Sequence, residues 1–147
     1  MGRNIIDLAG LIKTQDAFMI AYYNYIGKVG KMFNLNEKET DVLSFYINFP
    51  QYDTQADVVK YRGYSKTQAS KIITSLMSYG YLNAHEDSED ARVLHISITD
   101  KARELGLLLH ANKSDFYTKA LKGFSEEEIA QIDSYINRIN ANLGCNK

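Results

Sequence analysis

Polar side chains recur on one face of the segment over about residues 66–79. Drawn as an α-helix, the segment has an apolar stripe with helical spacing, formed by Ala69, Ile72, Ile73, Leu76 and Met77. The other face carries hydroxyl and basic groups with an amide at its border: Lys66, Thr67, Ser70, Lys71, Thr74 and Gln68. Such groups suit base edges and phosphates. Any amphipathic surface helix has polar residues outside, so this face alone leaves both interpretations open.

The charge around this segment has a single sign. No acidic residue lies between Asp57 and Glu86. The basic residues of that stretch are Lys60, Arg62, Lys66 and Lys71. A solvated helix usually mixes both signs, and a cationic segment favours attraction to phosphates. Because the whole chain has a net charge of −1, the excess of positive charge that favours nucleic acid is local to this segment.

Helical patterns on both sides of the segment predict a mainly α chain. The predicted helices run over about 5–33, from Asn36 to Pro50, from Thr54, over 66–79, over 100–122 and from Ser125. The turn Arg62-Gly63-Tyr64 joins the third helix to the fourth. A short helix, a turn and an amphipathic helix form a helix-turn-helix, whose second helix lies in the DNA major groove.

Two strand-like segments follow, at 81–86 and 92–98. In the second segment polar and apolar residues alternate, as in a half-buried strand. The polar stretch Asp87-Ser88-Glu89-Asp90-Ala91 separates the two segments. The pattern therefore predicts a β-hairpin directly after the helix-turn-helix.

This hairpin resembles the wing of the MarR family of transcriptional regulators. The family signature is Asp-x-Arg, five further residues and Leu-Thr, and it is matched by Asp90-Ala91-Arg92, residues 93–97 and Ile98-Thr99. The stretch Tyr79-Gly80-Tyr81-Leu82 resembles the family's approach to the wing. Family members usually carry a second basic residue beside the signature arginine, where this chain has Ala91. The resemblance extends over about 36–105 and, more loosely, over the whole chain.

The resemblance implies a mainly α fold with a small β-hairpin wing (α+β). It implies one domain over 1–147, a winged helix-turn-helix DNA-binding lobe at 36–99 and dimerisation helices at 1–33 and 100–147. In the family the wing arginine approaches the minor groove, where a guanidinium is attracted to negative potential, and the aspartate keeps the wing in shape. An exposed ion pair between Asp90 and Arg92, worth about 0–1 kcal/mol, is the structural alternative. The predicted DNA-binding residues are Arg62, Ser65, Lys66, Thr67, Gln68, Ser70, Lys71, Thr74 and Arg92, and Asp90 is the predicted wing brace.

Apolar residues of the last helix are spaced alternately three and four apart, which is typical of a coiled-coil-like seam. Such a seam can also pack against the first helix of the same chain. The resemblance implies a homodimer built from the terminal helices, with two lobes that read a near-palindromic operator. The predicted dimerisation residues are Ile5, Leu8, Ile12, Ile129, Ile132, Ile136, Ile139 and Leu143.

Many relatives bind a small effector between the dimer region and the DNA-binding lobe. The candidate pocket residues here are Tyr22, Tyr25, Phe45, Tyr46 and Phe49. Aromatic residues on helices more often belong to the hydrophobic core, so a purely structural role for these residues stays open as well. The sequence names no effector.

Other classes of function find no support. The single cysteine, Cys145, excludes an internal disulfide and has no predicted activating partner. The residues His85, His95 and His110 lack metal-ligand spacing, and no phosphate-binding glycine loop or nucleophile motif occurs. We therefore expect no enzyme activity, cofactor or metal, and no membrane span or signal peptide, which places the protein in the cytoplasm.

The sequence thus predicts a sequence-specific, DNA-binding transcriptional regulator, an effector-responsive repressor that binds double-stranded DNA as a homodimer. Repression follows if the bound dimer blocks polymerase access. The first alternative is a winged-helix protein–protein adaptor or antagonist without DNA binding, suggested by the near-neutral charge and by Ala91. The second is a small-molecule sensor whose output is not DNA.

Overall fold

A computed structural model of the protein describes residues 7–144. The elements in chain order are α1 (Leu8–Met32), α2 (Glu37–Asn48), α3 (Gln55–Arg62), α4 (Lys66–Ser78), β1 (Leu82–Glu86), β2 (Leu94–Ile98), α5 (Asp100–Ala120) and α6 (Glu126–Asn142). The two strands form an antiparallel hairpin. The predicted fold class and element order are confirmed, with boundaries within a few residues of the expected ones.

Four helices begin with reciprocal capping boxes. In each, the N-cap side chain accepts the N–H of the residue three positions on, whose own side chain accepts the N-cap N–H. The pairs are Asn36 with Glu39, Thr54 with Asp57, Ser65 with Gln68, and Ser125 with Glu128. Because these signals are local, the sequence located the helix starts accurately.

The chain leaves α4 through Gly80, which has a φ of +77°. The Gly80 N–H donates to the carbonyl of Met77 at 3.0 Å, and the Tyr81 N–H donates to that of Leu76 at 2.9 Å. This pair of bonds is a Schellman motif, whose left-handed residue is normally glycine. It turns the chain directly from α4 into β1.

The core joins the second half of α1 to α2, α3, α4, the hairpin and the first half of α5. Its large, fully buried side chains include Ile26, Val42, Leu43, Val58, Leu76, Leu82 and Leu105. Helices α1 and α2 approach closely at Gly30, where an added Cβ would collide with the Thr40 hydroxyl. Gly30 therefore permits this helix contact, although glycine has a low helix propensity.

Helix α5 crosses the boundary between two compact units, which lies between Lys113 and Ser114. Its first half buries Ala102, Leu105 and Leu109 in the core of the first unit. This part of α5 therefore packs with the predicted DNA-binding lobe, although the sequence assigned all of 100–147 to dimerisation. None of the helices in residues 7–144 has the length and hydropathy of a membrane span.

Candidate nucleic-acid interface

Helices α3 and α4 form the predicted helix-turn-helix, and Gly63 lies in the turn with a φ of +73°. On its inner side α4 buries Ala69, Ile72, Ile73 and Leu76. Met77, which the spacing placed in this stripe, is 39% exposed. Met77 follows Ala69 by eight residues, and each residue turns the helix by about 100°. Met77 therefore lies about 80° round the helix from Ala69, outside the buried stripe.

The outer side of α4 presents the predicted DNA-reading residues to solvent. These exposed residues are Lys66, Thr67, Ser70, Lys71 and Thr74. They fall within an arc of about 140° on the helix, outside the arc of the buried residues. We call this set the α4 outer face. It carries two cations and three hydroxyl groups and contains no carboxylate.

Ser65 and Gln68 are exposed, but their oxygens serve the helix start. The Ser65 hydroxyl accepts the Gln68 N–H at 3.2 Å, and Gln68 Oε1 accepts the Ser65 N–H at 3.1 Å. A bidentate contact of Gln68 with adenine requires both Oε1 and Nε2, so it would compete with the cap. Their predicted DNA contacts stay predictions.

Arg62 lies against a buried carboxylate. Its guanidinium pairs with Asp41 on α2, with Nε at 3.3 Å from Oδ2 and the second contact made by a terminal nitrogen to Oδ1. Asp41 is 1% exposed and also accepts the hydroxyls of Tyr64 at 2.9 Å and Tyr22 at 3.4 Å. Burial raises the pKa of Tyr64 to about 12, so its hydroxyl remains a donor. The pair compensates one of the cations that the sequence credited to the DNA-facing segment.

The wing, residues 82–98, is shaped at its tip by two aspartates. Asp87 Oδ1 accepts the N–H groups of Glu89 at 2.8 Å and Asp90 at 3.0 Å, and Asp90 Oδ1 accepts the Arg92 N–H at 3.0 Å. These backbone donors, of Asp90 first and then Glu89, together with His95, lower the pKa of Asp87 to about 2. Asp90 thus acts on the backbone at Arg92. The sequence singled out Asp90 and missed Asp87.

Arg92 lies exposed at the start of the second arm of the wing. Within residues 7–144 no ion pair involves its guanidinium. The structure therefore gives no sign of the exposed Asp90–Arg92 pair that the sequence kept as an alternative. An uncompensated guanidinium on a wing is suited to a phosphate or to a narrow minor groove.

His95 on β2 joins the wing to the segment before α3. Its Nδ1 lies 2.8 Å from Asp53 Oδ2 and its Nε2 lies 2.9 Å from Asp87 Oδ2. The neighbouring Ile96 N–H donates to the Asp53 carbonyl at 2.6 Å. The contacts with Asp87 and then Asp53 raise the pKa of His95 above its ordinary value. In the sequence His95 was only one of three scattered histidines.

The candidate effector residues are largely structural. Phe45 and Tyr46 are each 4% exposed, and the Tyr46 hydroxyl donates to the Thr54 carbonyl at 3.1 Å. The Tyr25 hydroxyl donates to the carbonyl of Leu109, and Tyr22 contacts Asp41. Of the five residues, Phe49 is the most exposed, at 38%. An effector pocket at these residues stays a prediction.

The predicted dimerisation residues leave apolar surface on each unit. In the first unit Leu8 and Ile12 are at least half exposed, at 68% and 50%. In the second unit Ile136, Ile139 and Leu143 are exposed, while Ile129 and Ile132 are half-buried. Ile5 and Cys145 lie outside the described residues. The homodimer itself stays a prediction.

No protein-family model matches the sequence, and no curated protein matches it. Solved structures do match. A putative MarR family transcriptional regulator from Listeria monocytogenes, solved in complex with a 26mer DNA, has a TM-score of 0.73 at 21% identity, covering 97% of this chain and 90% of its own. A MarR transcriptional regulator from Methanosarcina mazei Go1 has a TM-score of 0.78 at 18% identity, over 91% and 96% of the two chains. Wild-type MarR from E. coli, in the apo form, has a TM-score of 0.70 at 14% identity, over 93% and 98%.

At these identities the likeness establishes the fold. The chain has the MarR-type winged helix-turn-helix fold, the fold of a class of transcriptional regulators. The resemblance that the wing signature predicted is confirmed at that level.

Proposed function

We propose that this protein is a sequence-specific DNA-binding transcriptional regulator that acts as a homodimer on a near-palindromic operator. The observation that carries the proposal is the α4 outer face, exposed and free of carboxylates, in a chain that also exposes Arg92 on its wing. A regulator with the same fold has been solved in complex with a 26mer DNA, which supports the same use of the fold here.

Each part of this surface takes a different role. The first N–H groups of α4 and its positive dipole end bind a phosphate, together with Lys66 and Lys71. Hydroxyls of Thr67, Ser70 and Thr74 contact base edges in the major groove. Arg92 enters the neighbouring minor groove. Phosphate contacts set the register of the protein on DNA, and base contacts select the sequence.

Arg62 supports this surface from behind. It lies at the end of α3, and its ion pair with Asp41 ties that end to α2. Losing one partner would leave the other charge buried without compensation. We assign Arg62 to holding the helix-turn-helix in place, with any contact to DNA secondary to that role.

The homodimer, the repression and the effector response complete the proposal. Exposed apolar side chains at the start of α1 and along α6 are suited to a symmetric interface between two chains. Two lobes, each including residues 36–99, then bind successive half-sites and block polymerase access. An effector acts by changing the spacing of the two α4 helices. The protein acts in the cytoplasm.

A second function, a protein–protein adaptor that does not bind DNA, is favoured by one observation. The Asp41–Arg62 pair and Ala91 reduce the free positive charge of a chain whose net charge is already −1. In the part of the chain that the structure describes, no ion pair involves Lys66, Lys71 or Arg92. Exposed, unpaired cations suit DNA phosphates, so we favour the DNA-binding function.

The test is a pull-down of genomic DNA fragments by the purified protein at physiological salt, followed by sequencing. The proposal expects enrichment of fragments that share a near-palindromic motif. A matched variant, Lys71→Ala, should recover less DNA with the same motif, and Lys119→Ala on α5 should recover as much as wild type. Recovery of fragments at the frequencies of the input library would overturn the proposal and favour the adaptor.

A further inference from the structure

We propose that protonated His95 is a positioning residue that holds the wing against the start of the helix-turn-helix, so that DNA affinity falls as His95 loses its proton. We call His95 with its partners Asp53 and Asp87 the His95 clamp. The inference deepens the proposed function and rests on it, since it concerns the grip of the wing on DNA.

The clamp matches the donor pattern of an imidazolium. Both ring nitrogens of His95 face carboxylate oxygens, at 2.8 Å and 2.9 Å. A protonated ring donates from both nitrogens at once. A neutral ring has one N–H, so its other nitrogen would direct a lone pair at a carboxylate. Deprotonation therefore turns one of the two attractive contacts into a repulsive one.

The two carboxylates belong to different parts of the molecule. Asp87 begins the wing tip and uses its other oxygen to bind backbone N–H groups there. Asp53 lies in the segment between α2 and α3, one residue before Thr54, the N-cap of α3. His95 thus ties the tip of the wing and the strand β2 to the residue that leads into the helix-turn-helix.

The position of the wing depends on such ties. A two-stranded hairpin is marginally stable alone, and β1 and β2 are the two strands of this sheet. The Ile96 N–H bond to the Asp53 carbonyl, at 2.6 Å, fixes the backbone of β2. The clamp adds the side-chain contact that reaches the tip, next to Arg92. When it opens, the guanidinium of Arg92 is held less firmly over the minor groove.

Three titratable groups face the His95 ring. Asp87 faces it from the wing tip, Asp53 from the α2–α3 segment, and His85 from β1, with ring centroids 5.6 Å apart. The carboxylates raise the pKa of His95, whereas a protonated His85 would oppose its positive charge. Since the pKa of Asp87 is about 2, Asp87 stays ionised throughout the titration of His95.

The sign of the pH effect follows from this raised pKa. Histidine outside the clamp titrates at about 6.5. The stabilisation of the clamped wing is fully present below that pH and is lost as the pH rises through the higher pKa of clamped His95. The wing is therefore best anchored in mildly acidic solution.

The experiment measures the affinity for the operator duplex found by the pull-down, at pH 6 and pH 8.5 and constant ionic strength. We expect wild type to lose affinity about two- to fivefold at the higher pH, since exposed charge pairs are weak. His95→Gln should show little dependence on pH and resemble wild type at pH 8.5. The control His110→Gln, on α5, should behave as wild type. An equal pH response of wild type and His95→Gln would overturn the proposal.

NMR titration of the His95 ring in the DNA-free protein separates this inference from the proposed function. We expect a pKa above 6.5 that falls in Asp53→Asn, with wing amide signals that shift along the same titration. If no DNA is bound at any pH, the proposed function fails, and these signals decide the clamp alone. A His95 pKa at its ordinary value, unchanged in Asp53→Asn, would overturn the clamp whether or not DNA binds.

Discussion

Asp41 on α2 and Arg62 at the end of α3 form an ion pair in which the Asp41 side chain is 1% exposed and the Arg62 side chain 24% exposed. The pair joins two helices whose sequences give no sign of the contact. The hydroxyls of Tyr22 and Tyr64 complete the hydrogen bonding of Asp41. The carboxylate is therefore satisfied, and it fixes the end of α3 that leads into the turn before α4.

Removing that carboxylate should destabilise the fold. We expect Asp41→Ala to lower the free energy of unfolding by about 3 kcal/mol, at the lower end for a buried pair because Arg62 is partly exposed. The matched control is Asp100→Ala, which removes the exposed pair with Arg103 and should cost about 0–1 kcal/mol. Urea unfolding measures both. Equal losses of unfolding free energy in the two variants would show that the buried Asp41–Arg62 pair stabilises the fold no more than the exposed pair does.

The close approach of α1 and α2 predicts opposite effects at two glycines of α1. In Gly30→Ala the new Cβ would meet the buried Thr40 hydroxyl, which donates to the Asn36 carbonyl at 2.8 Å and cannot easily move. We expect a loss of about 1–3 kcal/mol. In Gly27→Ala the nearest atom is Glu37 Cγ at 3.5 Å, so helix propensity should stabilise the protein by up to about 1 kcal/mol. Thermal unfolding checks both, and a stable Gly30→Ala protein would contradict the tight contact.

The seam of α6 predicts a charge-sensitive dimer. Ile136→Glu places a carboxylate in the apolar seam and should shift the protein towards monomer, since burying an unpaired charge is costly. Ser134→Glu adds the same charge on the other side of α6 and should leave the dimer intact. Sedimentation velocity distinguishes the two. A monomeric wild-type protein, or a dimeric Ile136→Glu protein, would show that the α6 seam is not a dimer interface.

The wing predicts an effect on binding that is separate from folding. Arg92→Ala should weaken operator binding about tenfold, the loss expected for one good groove contact, with an unchanged unfolding midpoint because its side chain is exposed. Arg103→Ala, which removes an exposed arginine of α5, is the control. Fluorescence anisotropy gives the affinities and thermal unfolding the stability. Equal operator affinities of wild type and Arg92→Ala would refute the role of the wing.

Local sequence patterns predicted most of the fold, but they did not predict the polar contacts between residues far apart in the sequence. Capping boxes depend on residues three positions apart, so Asn36 and Thr54 marked the starts of α2 and α3 reliably. The Asp41–Arg62 pair spans 21 positions and the His95–Asp53 contact spans 42. Hydrophobic periodicity contains no information about such pairs, because it registers a buried aspartate as a surface residue.

The site was predictable from the sequence only in part, for the same physical reason. The α4 outer face followed from helix periodicity, and its five residues are all exposed as expected. Arg62 was counted as a free cation because its partner lies on another helix. Asp87 was overlooked because its carboxylate acts through backbone N–H groups and His95, contacts that have no sequence signature.

The most direct test of the central claim, that the α4 outer face reads DNA, compares two double variants on the duplex from the pull-down and on a scrambled duplex. Lys66→Ala with Lys71→Ala removes the cations of that face, and Lys119→Ala with Lys122→Ala removes equal charge from the region of α5's end. We expect the first protein to lose at least about tenfold in operator affinity and to show a shallower salt dependence. We expect the second protein to bind as wild type does, and both proteins to prefer the operator to the scrambled duplex. Equal affinities of the two variants for the operator, or equal binding of wild type to operator and scrambled DNA, would contradict it.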